Sequence, residues 1–286
     1  MIVIGTRPSK LALWQANHVK TLLSELGVEA RLETITTKGD QILDRSLVEI
    51  GGKGLFLKEI EDALLAGKVD IAVHSLKDVP YELDEKLVLA AFLPREDASD
   101  AFLSKKFASL ADLPKGAKVG TTSLRRIVQL RVLRPDLNFV PLRGNVDTRL
   151  KKLFAGEFDA IVLAAAGLNR LGLAPHITQR LQTVPAVGQG AITIECLAAR
   201  ADLLTLLSPL NHEPTARAVT VERKFLKLFQ GSCQTPIGCL AIPAAQTAGH
   251  FTFTYFLADA DGSNVHTGTL GGPWADGDKI LKQIVK

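Results

Sequence analysis

The chain has 286 residues, 47% hydrophobic and 22% charged, with a formal net charge of +4. That length exceeds one hydrophobic core and points to two or three domains of a water-soluble globular protein. Three cysteines (Cys196, Cys233, Cys239) are too few for a disulfide scaffold and lack the paired spacing of a zinc site, which favours a reducing cytoplasm and no metal. The start MIVIGTRPSK has no apolar core behind a basic end, so it does not read as a signal peptide. The longest uncharged stretch, 230–258, is broken by Pro236, Pro243 and glycines, which excludes a membrane helix.

In chain order, Ile2–Gly5 reads as a strand and Ser9 as the cap of a helix over Lys10–Leu26, closed by Gly27. Val28–Thr36 alternates like a strand. Thr37–Ile50 has no periodicity and reads as a mobile loop, punctuated by Gly51-Gly52-Lys53-Gly54. Leu55–Ala66 has helical spacing, and Asp70–Val73 is a short apolar run of the kind found in buried parallel strands. Leu87–Leu93 is another strand, and Pro94–Asp97 breaks the pattern. A second α/β run starts near Ala101. Its strand ends at Gly120, Thr121-Thr122-Ser123 opens a helix, Asn138–Leu142 is a strand, and Arg143-Gly144-Asn145 opens a helix ending near Ala155. After the break Val184–Gly190 come a strand (Ala191–Cys196) and a helix (Ala198–Leu207). The tail has a long helix over Glu213–Phe229, the loop Gly231–Gly238, a hairpin turning at Asp261-Gly262 and a closing helix over Ile280–Val285.

The two α/β runs share a plan. Residues 4–15 (IGTRPSKLALWQ) resemble 119–130 (VGTTSLRRIVQL), and the helix, glycine and strand led by Asp70 resemble those led by Asp159. The expected fold is α/β, with two similar hinged lobes and a small C-terminal α+β domain. Domain 1 spans 1–93 plus 191–208, domain 2 spans 99–184 and domain 3 spans 211–286, with hinges near 94–98 and 185–190. Each lobe offers a helix N-terminus to an anion, and the ligand lies in the cleft between the lobes.

The chemistry concentrates at three places. In Gly67–Pro80 (GKVDIAVHSLKDVP), His74, Ser75, Lys77 and Asp78 stand at the end of a strand, where α/β sheets hold their ligands. His74, Ser75 and Asp78 lie too close in sequence for a hydrolase triad, and no G-x-S-x-G elbow is present. Between Val119 and Leu150 there are six arginines, no lysine and two acids. Arginine alone implies bidentate recognition of carboxylate or phosphate. Phe139 is the sole aromatic in that stretch, so base stacking on nucleic acid is poorly supported and a small polyanion fits better. Cys233 lies between glycine and proline on a loop after a helix C-terminus, where the dipole disfavours a thiolate. That suits a thiol that reacts once, with a strong electrophile, to hold a cofactor.

Eight segments together resemble the hydroxymethylbilane synthase (porphobilinogen deaminase) family. They are Arg7-x-Ser9-x-Leu11-Ala12, Gly51-Gly-Lys-Gly-Leu-Phe56, Ala72-Val-His-Ser-Leu-Lys-Asp-Val-Pro80, Gly120-Thr-Thr-Ser-Leu-Arg-Arg126, Arg143-Gly-Asn-Val-Asp-Thr-Arg149, Leu163-Ala-Ala-Ala-Gly-Leu-Asn-Arg170, Pro185-Ala-Val-Gly-Gln-Gly190 and Gly231-Ser-Cys-Gln-Thr-Pro-Ile-Gly238. They span nearly the whole chain in family order, with Thr122 where serine is usual and Ser232 where glycine or alanine is common.

The resemblance implies lobes like type II periplasmic-binding-protein domains. It implies a monomeric, cytoplasmic transferase that joins four porphobilinogen units with loss of ammonia, giving hydroxymethylbilane. The product would pass to uroporphyrinogen-III synthase in tetrapyrrole (haem-type) biosynthesis, with no nucleic-acid or membrane partner. It implies Asp78 as the catalytic acid and Cys233 as the thioether attachment of a dipyrromethane cofactor. Further cofactor contacts are implied at Lys77, Ser75, Thr121, Thr122, Ser123, Arg125, Arg126, Arg143 and Gly144. Substrate contacts are implied at Arg7, Ser9, Arg149 and Arg170; Gln15 and Gln189 are further candidates for the substrate side, and Lys53 and Phe56 stand either in a loop lid that meets substrate or at an ordinary helix start. His74 is left as a structural hydrogen-bonder, and Arg131 and Arg134 as surface residues. The competing reading is a solute-binding protein of the same two-lobed plan. It does not account for an acid within a basic cleft or for a loop cysteine in a third domain.

Overall fold

A computed structural model describes residues 1–41, 57–232 and 235–284 of the chain. Internal contacts divide it into two compact units, residues 1–95 with 191–216 and residues 96–190 with 217–286.

In the first unit, strands β1 (Ile2–Thr6), β2 (Ala30–Thr34), β3 (Ile71–Ser75), β4 (Leu87–Phe92) and β10 (Ile192–Leu197), numbered along the chain, form one sheet in the order β2-β1-β3-β10-β4. β1 runs parallel to β2 and β3, whereas β10 is antiparallel to both β3 and β4. The run expected to be a parallel strand is therefore parallel on one side only. Helix α1 (Lys10–Glu25) starts where expected, because Ser9 Oγ accepts the Ala12 N–H at 3.3 Å. Ala12, Gln15, Ala16, Val19 and Leu23 recur at helical spacing and are buried, while Ile4, Ile71, Val73 and Ile194 supply the sheet side of the core. A second helix, Lys58–Leu65, buries Ile60, Ala63 and Leu64. Lys38–Gln41 forms a helical turn inside the stretch expected as loop. The rest of that loop, the glycines 51–54 and the expected helix start lie outside the described residues.

The second unit repeats this plan. β5 (Asp100–Leu103), β6 (Lys118–Gly120), β7 (Asn138–Val140), β8 (Ala160–Ala164) and β9 (Gln179–Leu181) lie in the order β7-β6-β8-β5-β9, with β6 parallel to β7 and β8 and β5 antiparallel to its neighbours. Each sheet thus has three parallel strands, one reversed strand and an edge. One detail shows how closely the copies correspond. The Asp70 N–H donates to Val3 O at 2.9 Å and its Oδ2 accepts the Val3 N–H at 2.9 Å. Asp159 repeats both bonds with Lys118, at 3.0 and 2.8 Å. The aspartates that led the matching motifs do the same work, tying the first residue pair of two parallel strands. β9 and the helix Ala165–Arg170 were not foreseen, being three and six residues long.

The C-terminal part of this unit is a small α+β domain. The helix Glu213–Leu228 supplies Phe225 to the core of an antiparallel sheet, β11 (Ile237–Pro243), β12 (His250–Leu257) and β13 (His266–Pro273). The hairpin turns at Gly262, whose φ of 89° suits glycine. The closing helix is Gly277–Leu281, earlier and shorter than the pattern suggested.

Candidate active site

β3 leaves the first sheet through a single 3-10 turn, Leu76–Asp78, which buries Leu76, half-buries Lys77 and leaves Asp78 exposed. Gln15, 2% exposed on α1, donates from Nε2 to Ser75 Oγ at 2.8 Å, fixing the last strand residue. Arg7, Ser9, Gln15, Ser75 and Asp78 together line one recess of this unit. Five residues chosen from the sequence, on the β1–α1 loop, α1, β3 and the turn after β3, therefore meet. Arg7 is held in place by Asp40: its Nε lies 3.2 Å from both carboxylate oxygens and its Nη2 lies 2.5 Å from Oδ1.

His74 also borders the recess, but its Nε2 pairs with Glu195 Oε2 at 3.1 Å inside the fold. Glu195 is fully buried, and its Oε1 has no hydrogen-bond partner among the described residues. Nearby, burial, and then the charge of Glu195, raise the Glu61 carboxyl above the usual carboxylate range.

The arginines of the second unit divide by what holds them. Arg125 and Arg126, 3% and 6% exposed, converge on Asp100, which is wholly buried at the start of β5. Arg125 reaches Oδ2 at 2.7 Å and Oδ1 at 3.0 Å; Arg126 places Nε and Nη2 on Oδ1 at 2.9 and 2.7 Å. Thr183 Oγ1 and Gln189 Nε2 also donate to Asp100, at 2.8 and 3.0 Å. Burial opposes the charge on Asp100, but the two guanidiniums outweigh it and hold the carboxyl far below the usual range. Two cations on one anion leave a net positive charge, and Arg125 Nε is buried with no partner among the described residues.

Arg143 is half-buried, with no ion pair or hydrogen bond to another described residue. Arg149 donates from Nε to Gly144 O at 2.7 Å, and Gly144 has a φ of 103°. Arg170 donates to Gly190 O at 2.6 Å; burial lowers its pKa to about 10 against the opposing charge of Glu96. Thr121 is buried, Thr122 exposed, and Ser123 caps its helix by position without using its side chain. These hydroxyls and cations, with one orphaned guanidinium nitrogen, fit a ligand carrying several carboxylates.

Of the surface assignments, Arg131 lies over Phe139, but Arg134 is half-buried and ties down the segment 110–113 through Leu110 O, Ala111 O and Leu113 O. Lys53, Phe56 and Cys233 lie outside the described residues. Asp40, Asp100 and Glu195 were missed. Asp100 had a signal, an acid opening the apolar run Ala101–Leu103, where a buried charge needs a partner. Glu195, an acid inside the apolar strand Ala191–Cys196, had the same signal, and Asp40 had none.

A pair of α/β lobes, one exposed carboxylate beside an arginine and hydroxyls, and a cationic second unit define the class: a two-lobed α/β protein whose polar recess and arginines suit carboxylate-bearing ligands. Two family models cover almost all of the chain. They are porphobilinogen deaminase, dipyromethane cofactor binding domain, over residues 2–205, and porphobilinogen deaminase, C-terminal domain, over residues 216–286. A porphobilinogen deaminase of Chromobacterium violaceum is 51% identical over 290 residues, covering 100% of this chain and 93% of its own. One from Nitratidesulfovibrio vulgaris (strain DSM 19637 / Miyazaki F) is 52% identical over 288 residues, covering 99% and 90%. Among solved structures, a nutrient binding protein from Burkholderia cenocepacia bound to methionine is 18% identical, covers 81% of this chain and 98% of its own, and gives a TM-score of 0.49. The chain belongs to the porphobilinogen deaminase family. It is a transferase that polymerises porphobilinogen into hydroxymethylbilane in tetrapyrrole biosynthesis, with a dipyrromethane cofactor. Among the described residues, no helix is long and apolar enough to cross a membrane.

Proposed function

We propose that Asp78 is the catalytic group of this polymerisation. The observation that carries the reading is its exposed carboxylate at the end of β3, in one recess with Arg7, Ser9, Gln15 and Ser75. Loss of ammonia from porphobilinogen leaves a cationic methylene-pyrrolenine. An ionised Asp78 beside the pyrrole N–H stabilises that charge as it forms, and then takes up the proton released when the new bond is complete. The arginines cannot exchange this proton, since they stay protonated near neutrality. Arg7 and Ser9 orient a substrate carboxylate, with Gln15 and Ser75 lining the same wall. Arg149, Arg170, Gln189, Lys53 and Phe56 are further substrate contacts.

Thr121, Thr122, Ser123, Arg125, Arg126, Arg143 and Gly144, joined by Ser75 and Lys77, hold the carboxylates of the dipyrromethane. When bound, that group supplies the nucleophilic pyrrole carbon on which the chain grows. Arg125 and Arg126 reach it already anchored by Asp100, so little side-chain entropy is lost on binding. Cys233 carries the cofactor through a thioether. The chain acts as a cytoplasmic monomer of three domains, hinged near 94–98 and 185–190, and passes its product to uroporphyrinogen-III synthase.

The intact mass of protein made in a host that supplies porphobilinogen tests the attachment. A covalent excess of two pyrrole units, absent after Cys233→Ser, is expected; an unmodified parent chain would refute it.

A further inference from the structure

The guanidinium of Arg7 is claimed twice. It borders the recess, and it is gripped by Asp40, which is not among the described residues lining that recess. Asp40 is itself pinned, its Oδ2 accepting the Thr37 N–H at 3.2 Å and the Thr37 hydroxyl at 2.9 Å. Thr37 is fully buried, and the Asp40 side chain is 11% exposed against 21% for Arg7. Burial works against the charge on Asp40, but Arg7 and Thr37 overcome it and hold the carboxyl below its usual range. At neutral pH the pair is therefore an ionised carboxylate set behind an ionised guanidinium.

Such a backing group has two consequences. It fixes the direction of a long, flexible side chain, and it offsets about one unit of the charge that a ligand carboxylate meets. A polymerase needs both. Each porphobilinogen brings an acetate and a propionate, and a carboxylate held at one addition must leave before the next. Binding that is equally tight throughout lowers KM without raising kcat. We propose that Asp40 is a positioning residue that tunes Arg7, keeping its hold on substrate carboxylates weak enough for exchange at every addition.

This rests on Arg7 as a substrate contact, so the test separates the two ideas. Steady-state kinetics on porphobilinogen are compared for the holoenzyme and for Asp40→Asn, Asp40→Glu and Arg7→Gln. Asparagine keeps an oxygen facing Arg7 and removes the charge. In Asp40→Asn, KM is expected to fall about threefold to fivefold, the range for a partly exposed ion pair, and kcat to fall with it. Asp40→Glu restores the charge and is expected to return both constants toward the parent. A merely structural Asp40 would instead raise KM, and glutamate would not rescue it; that result overturns the proposal. If Asp40→Asn does not fold, Asp40→Ser removes the same charge and is read identically. Arg7→Gln is expected to raise KM. No change there removes the substrate role of Arg7 and the proposal with it, whereas a rise in Arg7→Gln with unchanged constants in Asp40→Asn overturns the tuning alone.

Discussion

Arg126 places Nε and Nη2 on one oxygen of Asp100, at 2.9 and 2.7 Å, while Arg125 bridges that oxygen and its twin. The carboxylate is wholly buried, so its removal strands two guanidiniums away from water. Asp100→Asn is expected to cost about 3–5 kcal/mol at pH 7, the range for breaking a buried ion pair. The sign with pH follows from the depressed carboxyl. Its contribution is complete above the unfolded value of about 3.9 and fades as pH falls toward the folded one. Urea midpoints of parent and variant should therefore stay equally far apart from pH 7 to 5 and converge below pH 4.

Asp78 is the opposite case, an exposed carboxylate. Asp78→Ala is expected to abolish porphobilinogen consumption while shifting stability by no more than about 0.5 kcal/mol, as for other surface changes. Asp78→Glu should keep part of the activity, having the same acid at a displaced position. Near-parental turnover in the alanine variant would remove Asp78 from the mechanism.

Glu61 is raised rather than depressed, by burial and then by Glu195. For such an acid, stability is lost as pH rises from the unfolded value of about 4.3 through the folded one, because ionisation is penalised only in the fold. Glu61→Gln should melt at a higher temperature than the parent at pH 7 and at the same temperature near pH 4. A variant that is less stable at both would point to a lost contact instead.

Gly238, the second residue of β11, lies against the chain near residue 185. A Cβ built there would lie 2.6 Å from Pro185 O, 2.9 Å from Val184 O and 2.9 Å from Arg125 Cδ. Two of these are backbone atoms and cannot turn aside. Gly238→Ala is expected to cost about 1–3 kcal/mol, as overpacking does, read as a lower urea midpoint.

Cys196 is buried in β10, and its thiol is pushed up to about 11 by burial and by Glu195. The thiolate is the reactive form, so native protein carrying Cys233→Ser should leave Cys196 unlabelled by iodoacetamide at pH 8 and show labelling only in denaturant. Native labelling at that position would mean that the strand opens.

The lobes were legible because their signals are local: a serine cap before α1, apolar spacing along helices, and glycine–helix–glycine–aspartate ahead of β3 and β8. That Asp78, Arg7, Ser9 and Ser75 share one recess was legible for a different reason, since all four stand in the motifs that carry the family resemblance, and Gln15 follows on the same helix. Polar residues that act through a distant partner were harder to see. Asp40 meets Arg7 across 33 residues and Glu195 meets His74 across 121, and no periodicity reports such a pairing. The antiparallel setting of β10 was hidden too, since a buried run of apolar residues reads alike in either direction.

The reversed strand at the heart of each sheet also dictates an order of assembly during synthesis. In the second unit β5 precedes its neighbours in the chain, so that sheet can close as soon as β9 leaves the ribosome. In the first unit β10 comes last, yet it separates β3 from β4. Until residue 197 has emerged, β3 and β4 each carry an unpaired edge, the kind of surface that invites aggregation. Of the two five-stranded sheets, the one begun first is thus the one closed second, at residue 197 rather than 181, and a nascent chain stalled before β10 is where a chaperone would find its substrate.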